Sequence, residues 1–260
     1  MRAMPKIDRF DLISCHPVEV SGVGPMRSPT LREIARMGNA EYQACLSLFL
    51  TTAKDLICAS LHLVSGEDFD KLPQELRRQA SVFRLLTASK KTRELLQRAL
   101  SLFIAGELQW QEGVGFLVNP APAAEGGQAC EGVVNAENFD AVADLCLQFA
   151  AIESEKPGGK RFANEHSKKL YEKFLQKKEA YRRARSQKPN PDYQLGNLIS
   201  ALAAAHPSLN ILNIWDLTVY QLHDQITRQT YMRQIVIREM NYAAWGGESD
   251  PAAWFRSLDK

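Results

Sequence analysis

Apolar positions recur at three- and four-residue steps through most of the chain, a period that predicts helices rather than strands. Thr30-Leu31-Arg32-Glu33 has the form of a capping box, with the threonine oxygen placed to accept an amide proton and Glu33 placed to reach back. A helix is predicted to begin there, pause at Gly38-Asn39 and resume from Glu41 to about Val64 on a stripe of Tyr42, Cys45, Leu46, Phe49, Leu50, Ile57, Leu61 and Val64. Pro73 suits the first turn of another helix ending near Thr87. The next runs from Ser89 to Ile104, carrying Leu95, Leu96, Ala99, Leu102 and Phe103. Asn135 is in place to cap a helix whose apolar face is Phe139, Val142, Cys146 and Phe149. A basic helix from about Ala163 to Gln187 and a short apolar one from Gln194 to Ala205 follow, the second closed by His206-Pro207. Asn213 is placed to cap a long amphipathic helix, Ile214 to about Ala244, through Leu217, Tyr220, Leu222, Ile226, Met232, Ile235, Ile237 and Met240. Gly246-Gly247 stops it, and Asp250-Pro251 opens a last turn with Trp254 and Phe255.

The period changes in two places. Residues 113–118 and 130–134 read as short strands separated by Pro120, Pro122, Gly126 and Gly127, which predicts one long-loop β-hairpin and no other sheet. Residues 1–29, broken by Pro5, Pro17, Pro25, Pro29, Gly22 and Gly24, read as an extended arm with a short strand at His16 to Val20. The expected fold is mainly α: the arm (1–29), a multi-helix domain with the hairpin at about 113–134 (30–155), and a C-terminal helical segment (156–260) behind the linker Lys156-Pro157-Gly158-Gly159.

With 260 residues, 45% of them hydrophobic, the chain has enough apolar surface for a substantial core. No apolar run approaches the ~18 residues of a membrane span, and the first ten residues lack the apolar stretch of a signal peptide. Five cysteines, an odd number without any C-x-x-C pair, suit reduced thiols in a cytosolic protein. The net charge of +2 hides an uneven spread. Residues 156–188 hold twelve Lys and Arg against three Glu, and residues 74–98 hold seven against two. Blocks of this kind orient a molecule toward an acidic partner or toward its own copies, or form the solvated face of a helix.

Catalytic signatures fail on inspection. Gly158-Gly159-Lys160-Arg161 lacks the first glycine and the Ser/Thr of a phosphate loop. Gly113-Val114-Gly115 precedes a strand and no helix N-terminus, which argues against a dinucleotide fingerprint. Cys58 and His62 share a helical face but offer two ligands where zinc takes three or four. His223-Asp224 are neighbours about 100° apart on a helix and form no oriented dyad; an exposed polar face is expected there. Ser257-Leu258-Asp259-Lys260 has the S-x-x-K form at a chain end that cannot preorganise a nucleophile. The expectation is a non-enzymatic protein without cofactor or metal.

Binding has more to stand on. Trp215, Trp245 and Trp254 fall in the last 46 residues with Tyr220, Tyr231 and Tyr242, and aromatic anchors on a polar helix mark protein interfaces. The expected contact residues are Trp215, Tyr220 and Trp254 as anchors, with Lys168, Lys169, Lys173 and Lys177 as an electrostatic rim. The same lysines, with Tyr171 and Tyr181, suit phosphate tracking, so a basic helical nucleic-acid-binding protein is the second choice. Glu165, Glu172 and Glu179 at seven-residue intervals partly neutralise that helix and suit helix–helix registry.

Three stretches taken together carry a resemblance: Ile13 to Val20 followed by Ser28 to Ile34; Val134-Asn135-Ala136-Glu137-Asn138-Phe139; and Asn197-Leu198-Ile199 through Pro207-Ser208-Leu209-Asn210 into Asn213 to Leu222. This arrangement resembles uncharacterised proteins of phage and prophage tail-morphogenesis modules from Gram-positive hosts, where tail-assembly chaperones are encoded. The resemblance implies an assembly role in the bacterial cytoplasm. Its partners would be tape-measure or tail-tube proteins or further copies of the chain, and the alternative is a structural tail or baseplate component retained in the particle.

Overall fold

A computed structural model describes residues 6–60, 81–119, 121–122, 128–152, 194–246 and 250–258. The linker 156–159, the basic helix with Lys168, Lys169, Lys173 and Lys177, His62, and the start of the helix expected from Pro73 lie outside the described residues. The protein is mainly α with small antiparallel sheets. Residues 1–153 and 215–260 form one compact unit and residues 154–214 a second.

In the first unit the helices are α1 (Arg9–Ile13), α2 (Leu31–Met37), α3 (Asn39–Leu50), α4 (Ala53–Ser60), α5 (Val82–Thr87), α6 (Lys90–Phe103) and α7 (Phe139–Phe149). The long α9 (Val219–Trp245) completes it; in the second unit the described helix is α8 (Leu195–Ala205). The capping box at Thr30 is formed: Thr30 Oγ1 accepts from Glu33 N at 3.2 Å, and Thr30 N donates to Glu33 Oε2 at 2.8 Å. The predicted continuous helix from Glu41 is broken at Thr51-Thr52. Asp55 accepts from Thr52 N at 3.0 Å and Thr52 Oγ1 accepts from Asp55 N at 3.2 Å, a local capping exchange that starts α4 afresh.

The sheet is larger than predicted. Strand β4 (Gly115–Val118) pairs with β7 (Gly132–Val134) as the hairpin reading requires, but β3 (Leu108–Gln111) adds a third strand on the other side of β4. Between β4 and β7, β5 (Ala121–Pro122) and β6 (Gln128–Ala129) form a minor pair. The N-terminal residues are likewise more than an extended arm. They contain α1 and a hairpin of β1 (Val18–Val20) and β2 (Gly24–Met26).

The core gathers Phe103, Phe116, Phe139 and Phe149, all fully buried. Trp110 stands 5.0 Å from Phe116 and Phe83 stands 5.5 Å from Phe139, centroid to centroid, so α5, the sheet and α7 meet in one aromatic cluster. Across this core runs the backbone of residues 22–31. Gly22 O accepts from Val133 N (3.0 Å), Pro25 O from Ala105 N (2.8 Å) and Phe103 O from Arg27 N (2.7 Å). Ser28 Oγ donates to Phe149 O at 2.8 Å from a buried position. Leu31 N donates to Leu217 O and Pro29 O accepts from Val219 N, both at 2.9 Å, which pins the start of α9. The segment is thus hydrogen-bonded to the end of α6, to β7, to α7 and to α9. It passes β7 so closely that a Cβ on Gly132 would lie 2.3 Å from Val23 C.

Two predicted caps are corrected. Asn135 and Asn138 close a turn on each other (Asn135 N to Asn138 Oδ1, 2.9 Å), so α7 begins at Phe139. Asn210 and Asn213 do the same (Asn210 N to Asn213 Oδ1, 2.7 Å), and the long helix begins at Val219. Its cap is a second box, with Gln221 N donating to Thr218 Oγ1 at 3.1 Å and Thr218 N to Gln221 Oε1 at 2.9 Å. Short polar side chains at turns satisfy neighbouring backbone amides better than they start a helix several residues away. In the second unit α8 buries Ile199 and Leu202 and ends at His206, whose Nδ1 accepts from Ser208 N and Leu209 N at 3.1 Å each.

Two measurements test this frame. Gly132→Ala must push Val23 backbone aside and is expected to cost about 1–3 kcal/mol in urea unfolding. Gly196→Ala, an open helical position in α8 with nothing within 4 Å of the added Cβ, should not destabilise. The second test concerns Glu33, which Arg27 holds by two hydrogen bonds (2.5 and 2.9 Å); these, with the Thr30 contacts, lower its pKa from an ordinary 4.5 to about 2. A depressed carboxyl pKa stabilises the fold above the unfolded-state value and loses that contribution as pH falls through the folded-state value. Glu33→Gln should therefore cost about 1 kcal/mol at neutral pH, and the gap from the parent protein should close between pH 4.5 and about 2 in acid-unfolding titrations.

Candidate partner-binding surface

Helix α9 spans 27 residues, about 40 Å at 1.5 Å per residue. Its first half is locked in place. Val219 and Leu222 are buried, Gln221 Nε2 donates to Ile13 O at 2.8 Å, and Arg9 Nη2 meets Asp224 Oδ1 at 2.5 Å with both side chains largely covered. His223 is half-buried and burial lowers its pKa. The exposed polar face expected at His223-Asp224 is therefore an inward face that ties α9 to α1.

The second half differs. From Val236 through Gly246 every residue is exposed. Ile237 is 58%, Met240 65% and Trp245 88% exposed. On a helical wheel Val236, Ile237, Met240, Ala243 and Ala244 fall within about 60° of Met240. They lie on the same side of the helix as Val219, Leu222 and Ile226, separated from them by Gln229 and Arg233, so the outer apolar patch is distinct from the buried one. The predicted apolar stripe includes Ile237 and Met240; the structure leaves both open, because among the described residues the strap formed by residues 22–31 and helix α1 reach only the first half of the helix.

The chain then reverses. Gly246, at φ +74°, caps α9 in a conformation that favours glycine. A 3-10 turn at Pro251–Phe255 packs back on the helix. Trp254 Nε1 donates to Glu239 Oε1 at 3.2 Å and Arg228 Nη1 to Arg256 O at 3.0 Å. Arg228, Ile235 and Glu239 share a face about a third of a turn from Met240. Ile235 on that face is only 3% exposed, while the Met240 stripe stays open.

The predicted anchors do not converge. Trp215 and Tyr220 are half-buried at the start of α9, whereas Trp254 is partly exposed beside Glu239, about 28 Å further along the axis. The residues that share an open surface are Val236, Ile237 and Met240, with exposed Trp245 and Phe255 close to them in the chain. The signal that marks them is the apolar spacing itself, which runs past the described elements that pack on α9. The cysteines have a packing role where they are buried: burial raises the Cys45 thiol to about 11 and drives Cys146 well up, so both stay protonated. Cys58 lies in α4, and its supposed partner His62 is outside the described residues. Among the described residues no helix is long and apolar enough to cross a membrane.

No curated protein and no solved structure matches the chain. Residues 186–259, which include α8, α9 and the C-terminal turn, match the model of a phage-derived family described as the YomV second domain, YomV being a Bacillus prophage protein.

Proposed function

We propose that this chain is a non-enzymatic protein of phage tail morphogenesis that acts by holding other proteins of the assembly, in the manner of a chaperone. The observation that carries this reading is the outer half of α9, a solvent-facing apolar stripe on a helix anchored at its other end. An amphipathic segment of a tape-measure or tail-tube protein can lay its own apolar positions on such a stripe, reading contacts at i, i+3 and i+4. Similarity of the stretch bearing the stripe to a phage-derived family supports the setting, and the resemblance carried by Ile13 to Val20 with Ser28 to Ile34, by Val134 to Phe139, and by Asn197 to Ile199 through Pro207 to Asn210 into Asn213 to Leu222 supports the tail.

Co-expression with helical fragments of the tape-measure protein from the same phage tests the proposal. The chain should raise the soluble yield of at least one fragment, and Ile237→Asp with Met240→Asp should abolish that gain without altering the chain's own circular dichroism. A chain that solubilises no fragment, or a double variant as effective as the parent, contradicts it. Stoichiometric presence in purified tails would replace the chaperone role with that of a retained tail or baseplate component.

A further inference from the structure

The outer half of α9 is complementary to itself. Facing two copies antiparallel about an axis beside Met240 pairs each residue with the one equally far on the other side of 240. Val236 then lies against Ala244 and Ile237 against Ala243 of the second copy, so a large side chain meets a small one at each step and Met240 meets its own counterpart. Arg233 lies on the same stripe and falls opposite the C-terminal end of the other helix, which closes at Trp245. That end carries the negative pole of a 27-residue helix, and no basic residue stands in its last turn. Arg233 is exposed and has no ion pair among the described residues. Each copy thus carries a cation where the other has the negative end of a helix dipole.

From this we infer that the stripe is occupied by a second copy of the chain, in an isologous, antiparallel α9–α9 dimer centred on Met240. The inference rests on the reading of the stripe as a contact surface and names its occupant in the absence of other proteins. Ten exposed residues cover about 15 Å of helix, too little to supply the ~800 Å² per side of a standard interface. The dimer is therefore reversible, and a tail partner competes for the same face.

Sedimentation equilibrium on the full chain over a wide concentration range tests this. The weight-average mass should climb from 29.2 kDa toward twice that value. Ile237→Asp, at a position where nothing is packed, should weaken association at least about tenfold with unchanged circular dichroism. A short bis-maleimide should join Met240→Cys chains into covalent dimers above the background of the parent. Arg238→Cys, on the far side of the helix, should not gain. A mass fixed at one chain at every concentration overturns the dimer, as does association indifferent to Ile237→Asp or cross-linking equal at 238 and 240. A monomer that still solubilises a tape-measure fragment sinks the dimer alone, whereas a dimer that solubilises none sinks the chaperone reading alone.

Discussion

The backbone of residues 22–31 is the contact on which the first unit depends. It buries Val23, Met26 and Leu31 in the core beside the aromatic cluster around Phe116. It also supplies hydrogen-bond partners for the ends of α6 and α7, for β7 and for the start of α9. A buried backbone group without a partner costs as much as a lost hydrogen bond or more. Displacing the segment therefore leaves unpaired groups on several elements at once. Its own irregularity suits it to the task. Pro25 and Pro29 prevent it from joining a helix, Gly24 adopts φ +99°, and Ser28, one of the few buried polar residues described, reaches the last turn of α7.

The strap also explains why α9 has two characters. Thr30 and Thr218 face each other in an isolated antiparallel bridge, and each begins a helix through its own capping box. The two helices leave from one point, α2 burying Leu31 and Ile34 and α9 running along α1. Arg9–Asp224 and Gln221–Ile13 fix the first turns. Beyond Ile235 the only packing partner among the described residues is the C-terminal turn, and that turn covers the face of Arg228 and Glu239 instead of the apolar stripe. The open apolar positions are thereby carried on a helix, not a loop.

Helix existence was legible wherever a strong stripe met a strong stop: Ser89 to Ile104 against the observed Lys90–Phe103, and Gln194 to Ala205 against Leu195–Ala205. Helix starts were less so, because Asn135 and Asn213 read as caps but serve turns of their own. Strand β3 escaped although Leu108-Gln109-Trp110-Gln111 alternates between covered and exposed positions. Four residues of period two are too short to stand out beside a helical stripe. The long-range role of residues 22–31 has no local signature at all, since backbone pairing across more than a hundred residues leaves no spacing to read. At the candidate surface the sequence showed the apolar spacing of the helix but not which half of it stays open. Exposure depends on what packs nearby, and periodicity reports only which side of a helix is apolar.

Amide hydrogen exchange along α9, followed at low and high protein concentration, tests the two-part helix most directly. Residues 222–235 should exchange slowly at both concentrations, while 237–245 exchange fast in dilute solution and slow down as concentration rises. Equal protection of both halves in dilute solution would mean that the chain covers its own stripe, and would contradict the central claim.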